Sequence, residues 1–423
     1  MKTKLLIPML LLLTVGAAAQ TSKREMFKDI NRTGSNYFAY PGPSQQVLTP
    51  APEGYEPFYI SHYGRHGSRY MTDNKYYVRS IAMLDTAAQL GILSPRGAVV
   101  LETLKKGYAY AYNRDGDLTL LGGRQHREIA HRMYDRFPSL LSQPLQVDAR
   151  SSTVGRCMIS MFNFCQELQG LNPSMDITLD ASSRDMRFVV ENDHVKPKET
   201  PQTEIYRQEV HAIRDRARNV DRLMDVLFTD GKKAREAIKV TELVRCLYNV
   251  GQDFQNVPEQ GLSLIDIFTK DELFNLWTAY NASWLLDTGL IPGSTPMYLQ
   301  QKEVRDSIES IADRVIRVGE PTLSLRFSHD SSVLPLAYLM GLKEAMGAKA
   351  DIKNLYKYIS IDKIIPMAAN IQLVFYRKDG SDDILVKFLL NENETSIPVK
   401  TDVAPFYHWS DVKRYWDEHP EKP

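Results

Sequence analysis

The order of secondary-structure signals along the chain constrains its fold more than any other feature. Strand and helix alternate over the first third, residues 170–320 carry helical patterns with almost no strand signal, and strands return at the end. Residues 58–63 read as an apolar strand. Helical spacing is expected over about 75–90, stopping at Gly91, over 96–112 and over 123–137. A short strand at 145–148 precedes a helix over about 153–168. The middle carries helical patterns at about 203–228, 232–249, 271–287 and 301–318. Further strands follow at 323–327, 371–377 and 384–390, with a helix beginning near Ser331-Ser332, which can cap it. Residues 21–55, with Pro, Gly, Ser and Asn and weak periodicity, read as an irregular arm. The pattern predicts an α/β fold: a three-layer core with a central, mostly parallel sheet flanked by helices. The core spans 21–168 and 320–423, and an inserted, mostly α-helical cap spans 169–319. Ligand sites in such sheets lie beyond the carboxyl ends of strands, often where an insertion covers them.

Residues 1–20 have the layout of a secretory signal peptide: Lys2 and Lys4, an apolar run from Leu5 to Leu13, then Ala17-Ala18-Ala19. The run is shorter than the about 18 residues a membrane span needs, and no later stretch is long and apolar enough. The chain is expected to be exported, to the periplasm or beyond, with no membrane attachment after cleavage. Lys+Arg and Asp+Glu both number 52. Loss of residues 1–20 removes two lysines and no acid, which leaves a formal charge of −2. A chain-wide basic field for nucleic acid is therefore absent. Cys157 and Cys165 sit eight positions apart on one expected helix, about 12 Å along its axis, too far for a disulfide. At most one of them bonds Cys246, and all three suit buried apolar positions.

Two strand ends carry unusual polar clusters. Arg65-His66-Gly67-Ser68-Arg69 follows the 58–63 strand, and His329-Asp330 follows the 323–327 strand. A third, Arg150 to Arg156, follows the 145–148 strand. Arginine forks match phosphate oxygens bidentately. A neutral imidazole can attack phosphorus and become a phosphohistidine, which splits one hard step into two. The leaving alkoxide then needs a proton from an acid. His66, Arg65, Arg69, Arg156, His329 and Asp330 fill all these roles. An Arg-His-Gly-x-Arg string arises by chance in a chain this long on the order of one time in a thousand at average usage.

These motifs resemble the histidine acid phosphatases, the larger branch of the histidine phosphatase superfamily, which includes histidine-type phytases and multiple inositol polyphosphate phosphatases. Further likenesses are Leu118-Thr119-Leu120-Leu121-Gly122 before a helix, and the helical middle. The resemblance covers roughly residues 55 to 395. It implies His66 as nucleophile, Asp330 as proton donor, and Arg65, Arg69, Arg156 and His329 as phosphate ligands, with no metal or organic cofactor. Arg-His-Gly-Ser-Arg-Tyr looks most like the inositol polyphosphate phosphatases, whereas His-Asp-Ser-Ser follows the acid phosphatases and many phytases.

The expected function is that of an exported phosphomonoester hydrolase acting on inositol polyphosphates such as phytate, or on other small phosphomonoesters. Alternatives are a broad acid phosphatase, a glucose-1-phosphatase-like enzyme, a phosphotransferase or mutase, and a non-catalytic phosphate-ligand binding protein. Arg150 is expected to be structural. His62 sits on a strand rather than on a helix face suited to metal ligation, and His126 and His131 are expected to be solvated.

Overall fold

The computed structural model describes residues 23–320 and 322–419; the leader expected at residues 1–20 lies outside them. Among the described residues one eight-stranded sheet organises the chain. Its strands are β1 (Tyr55–Arg65), β2 (Leu145–Ser151), β3 (Met175–Asp180), β4 (Thr322–Ser328), β5 (Asn370–Lys378), β6 (Leu385–Leu390), β7 (Asn393–Glu394) and β8 (Phe406–His408). The order is β3-β2-β4-β1-β5-β6-β7, with β8 on β6. Both chain ends complete the sheet: β1 lies between β4 and β5.

The α/β class and the sheet flanked by helices stand as expected, but the sheet is parallel on one side only. β3, β2, β4 and β1 run parallel, whereas β5 and everything beyond it pair antiparallel. Between β5 and β6 the cause is connection length. A parallel return needs a crossover of a dozen or more residues, and only residues 379–384 join β5 to β6. β3 has no counterpart among the expected strands and falls within 169–319, yet it pairs with β2 over six residues.

Side chains alternate across β1. Tyr59 and Tyr63 pack on one face with α9 (Asp330–Leu339) and α10 (Trp409–Glu418), while Ile60 joins Leu323, Leu325 and Phe327 of β4 on the other. That second face is covered by α3 (Leu120–Arg136) and α4 (Gly155–Leu171). The three β4 side chains have no exposed surface, and full burial of each is worth about 1.5–3 kcal/mol.

A separate helical cluster contains α1 (Lys75–Gln89), α2 (Pro95–Ala111) and α6 (Val240–Asp253). Two helices from before residue 168 thus share apolar contacts with one from the 169–319 stretch. The expected 203–228 helix divides into α5 (Pro201–Arg218) and Asp221–Leu227, with the break at Asn219, a residue that favours helix ends over interiors. The 232–249 helix divides where Ile238 turns extended. α7 (Lys270–Asp287) and α8 (Lys302–Val318) match their expected spans closely. All three cysteines are buried free thiols.

Candidate active site

The site forms where three parallel strands end together. Arg65 at the end of β1 lies opposite Ser328 of β4, and Ser151 at the end of β2 lies opposite Phe327. The backbone stitches the strand ends further. The His66 N–H donates to the Ser328 carbonyl at 2.9 Å, the Ala368 N–H to the His66 carbonyl at 2.9 Å, and the Ser152 N–H to the Phe327 carbonyl at 3.0 Å. Residues 65–69, 150–156 and 329–330 thereby reach one edge of the sheet.

His66 is buried and its Nδ1 lies 2.9 Å from the Gly67 carbonyl. A carbonyl only accepts, so Nδ1 carries the hydrogen and Nε2 keeps its lone pair. Burial, then Arg65, Arg156 and Arg69, hold the ring's pKa well below its ordinary value. His66 is therefore a neutral imidazole among cations. Its ring centre stands 5.6 Å from that of His329.

The loop that carries His66 is held from below. The Gly67 N–H donates to Ser160 Oγ at 3.1 Å, the Ser68 N–H to Gln125 Oε1 at 2.8 Å, and Ser68 Oγ to Asn256 Oδ1 at 2.7 Å. Thr119 caps α3 by accepting from the Gly122 N–H at 3.2 Å, and both its own N–H and its hydroxyl donate to the Ser68 carbonyl. The Leu118–Gly122 segment is thus the seat of the loop.

Arg65 is fully buried. One of its terminal nitrogens donates to the carbonyls of Asn36 (2.6 Å) and Ile365 (2.7 Å). The other lies 2.7 Å from the Asp330 carboxylate, an ionic contact without the alignment of a good hydrogen bond. Burial lowers its pKa to about 10, and Asp330 works the other way. Burial also disfavours the charged form of Asp330, but Arg65, then Arg69 and the Asn36 amide outweigh it and bring its pKa to about 2. Asn36 binds both partners, since its amide donates to Asp330 at 2.8 Å.

Arg69 stacks on the ring of Tyr37, 4.9 Å from its centre, and donates to the Tyr70 carbonyl at 3.0 Å. Arg156 stands on the first turn of α4 and points a terminal nitrogen to His329 Nδ1 at 3.4 Å. Because a guanidinium only donates, Nδ1 of His329 accepts, and Nε2–H donates to Ser152 Oγ at 3.1 Å. Burial, then Arg156, lower the His329 pKa. The Nε–H groups of Arg65, Arg69 and Arg156 are all buried without a hydrogen-bond partner. Three unsatisfied cationic donors around a neutral imidazole suit an oxyanion with several acceptor oxygens.

All six expected residues therefore converge. Arg150 stands apart and pairs with Asp148 at 3.2 Å and Asp185 at 2.7 Å. Two expectations fail. His126 is fully buried against Phe327 rather than solvated. Ser331 and Ser332 do not cap α9: His329 holds the cap position, and both serine hydroxyls donate to Glu191, Ser331 at 2.9 Å. Asn36, Tyr37, Glu191 and Asp253 join the site without having been expected there. Asn36 and Tyr37 lie in the 3-10 segment Ile30–Tyr37 within the irregular arm, and no local pattern singles them out. Asp253 is buried at the end of α6, where burial pushes its pKa up to about 7 while Arg69 pulls it down. Among the described residues no group of three or more His, Cys, Asp or Glu is arranged to hold a metal ion, and no helix is long and apolar enough to cross a membrane.

No family model matches the chain. It is 23% identical over 373 residues to multiple inositol polyphosphate phosphatase 1 of Gallus gallus, covering 84% of this chain and 80% of the relative. Its fold superimposes on the Bifidobacterium longum multiple inositol polyphosphate phosphatase in complex with inositol hexasulfate. The TM-score is 0.74 at 20% identity, over 92% of this chain and 98% of that one. It also matches the D. castellii phytase, with a TM-score of 0.68 at 15% identity over 92% and 85% of the two chains. The chain is thus similar in sequence to multiple inositol polyphosphate phosphatase 1 and shares the fold of the B. longum enzyme and of the D. castellii phytase.

Proposed function

We propose that the chain is a phosphoric monoester hydrolase that works through a phosphohistidine on His66 and acts on inositol polyphosphates. The observation that carries this reading is the His66 ring: neutral, with Nδ1–H committed to the Gly67 carbonyl and Nε2 free, among three arginines with unsatisfied buried donors. Arg65, Arg69, Arg156 and His329 neutralise the phosphoryl oxygens. Nε2 attacks phosphorus, the ester P–O bond breaks, and the alkoxide takes a proton from Asp330. The Asp330 carboxylate then takes a proton from water, the oxygen attacks phosphorus, the P–N bond breaks and phosphate leaves.

Asp330 is ionised in the free site, so the proton must arrive with the substrate. A phosphomonoester whose second pKa is about 6 brings one when it enters as the monoanion, and its remaining charge beside Asp330 favours the protonated carboxyl. Turnover should therefore be fastest below about pH 6. The inositol polyphosphate assignment rests on the sequence relative and on the inositol hexasulfate complex of the B. longum enzyme. Export through residues 1–20 belongs to the same proposal, since their layout is that of a secretory leader.

The test is a rapid-quench experiment with radiolabelled substrate. An acid-labile, base-stable phosphoenzyme is expected in the wild type and absent in His66→Ala, which should also lose turnover of phytate, glucose-1-phosphate and p-nitrophenyl phosphate. Substantial hydrolysis by His66→Ala would overturn the mechanism. Phosphate binding by the wild type without hydrolysis of any of these esters would leave a binding protein.

A further inference from the structure

A cavity of about 360 Å³ opens among α5, α6 and α7. Arg214, Arg218, Arg245, Tyr280, Trp284 and Asp287 line it, and none of the six candidate active-site residues does. Three guanidinium groups around one small volume repel one another unless carboxylates or an anion answer them. Arg245 is answered: Glu242 accepts from its Nε at 2.7 Å, and the guanidinium lies 4.9 Å from the Tyr76 ring centre. The other two meet carboxylates only at longer range, Arg214 with Asp287 and Arg218 with Asp215. Arg218 is half-buried with no hydrogen bond or ion pair among the described residues, and burial together with Arg214 and Arg245 disfavours its charge. The Arg214 Nε–H is buried without a hydrogen-bond partner, and its ion pair with Asp215 is loose at 3.8 Å. Asp287 is the single carboxylate of the lining, and burial shifts it toward its neutral form.

We propose that this cavity is a second anion site, which takes a phosphomonoester group on Arg214 and Arg218. Two planar forks without a side-chain hydrogen-bond partner among the described residues match the oxygens of a phosphate bidentately. The volume lies at the small end of the roughly 300–1,000 Å³ range of ligand pockets, which suits one phosphorylated ring against Tyr280 and Trp284. One chain segment links the cavity to the candidate active site. Tyr248, also in the lining, donates to the Thr33 carbonyl, and the same 3-10 segment supplies Asn36 and Tyr37 to Arg65, Asp330 and Arg69. The assignment does not depend on the phosphohistidine mechanism.

Phenylphosphonate, a phosphomonoester analogue with an unbreakable P–C bond, is the probe. Equilibrium dialysis of the full chain should give two bound molecules per chain. Arg218→Gln should remove one and weaken the second class of binding at least tenfold, with kcat and KM for p-nitrophenyl phosphate within twofold of wild type. The tryptophan fluorescence change on binding should disappear in Trp284→Phe, which keeps the arginines. One molecule per chain in the wild type, or two in both Arg218→Gln and Arg214→Gln, would overturn the proposal. So would a raised KM in a folded Arg218→Gln, which would make the cavity part of the catalytic cleft. Absence of any ester hydrolysis would count against the catalytic reading alone, because the stoichiometry is read without turnover.

Discussion

A methyl group added to Gly67 would fall on the backbone of Gly122, and one added to Gly122 would fall on the backbone of Ser68. The loop that carries His66 and the start of α3 are therefore in direct backbone contact, and neither surface is a side chain that can swing away. Gly122→Ala should destabilise the protein by about 1–3 kcal/mol, the usual range for overpacking, and should lower kcat through displacement of His66. A urea titration together with p-nitrophenyl phosphate kinetics reads both effects. Wild-type stability and rate in this variant would show that the contact is dispensable.

Asp330 is the proton donor of the proposed mechanism, and its removal should matter in proportion to how badly the leaving group needs a proton. Asp330→Asn should cost about 10²–10⁴ in kcat for an alkyl phosphate and far less for p-nitrophenyl phosphate, whose phenolate leaves unaided. Equal losses on both esters would assign the proton transfer elsewhere.

Asp253 has a pKa raised by burial to about 7, against an ordinary value of 3.8. Between those values the unfolded chain has released the proton while the folded chain still holds it. The contribution of Asp253 to stability therefore falls as pH rises from about 4 to 7 and is level above that. Asp253→Asn cannot ionise, so it should melt above the wild type at pH 8 and lose that advantage at pH 4. At about 1.4 kcal/mol for each pH unit of that interval, the gain is up to about 4 kcal/mol, less whatever Arg69 loses with its counter-charge. Thermal melts at the two pH values measure it.

His62 and His126 form a buried pair behind the loop that carries His66. Both ring nitrogens of His62 lack a partner. Those of His126 have no well-formed hydrogen bond, although the Arg65 backbone partly offsets its burial. Burial lowers each pKa to about 3. Below pH 6.5 the unfolded chain takes up protons that these two folded rings refuse, so their joint contribution falls with acid from about pH 6.5 to 3 and outweighs the opposite slope of the single Asp253 carboxyl. The limiting slope is about 1.4 kcal/mol per pH unit for each ring, and His66 adds to it with the same sign. Urea unfolding at pH 7, 5.5 and 4.5 tests this, with His126→Leu expected to flatten the slope. An enzyme that turns over fastest in mild acid would then operate on the declining side of its own stability curve.

Much of the fold and site is legible in the sequence. Strands rich in apolar residues at 58–63 and 323–327, each followed by charged residues, locate the sheet's centre and the two candidate catalytic segments, because burial on both faces favours apolar side chains. Arg65, His66, Arg69, Arg156, His329 and Asp330 are all readable, since each follows a local signal within a few residues. Other features have no such signal. β3 carries exposed and half-exposed side chains on a sheet edge, so no apolar run marks it. His126 looks like any polar residue on a helix, and only Phe327 packed against it makes it core. Asn36 bonds Asp330 across 294 positions, and Ser331 and Ser332 meet Glu191 across about 140. The sequence by itself determined which residues stand at the ends of the central strands and hence the chemistry they offer. Tertiary structure decided their electrostatics, because the pKa values of Asp330, His66 and Asp253 depend on burial and on charges brought in from distant segments, to which local periodicity is blind.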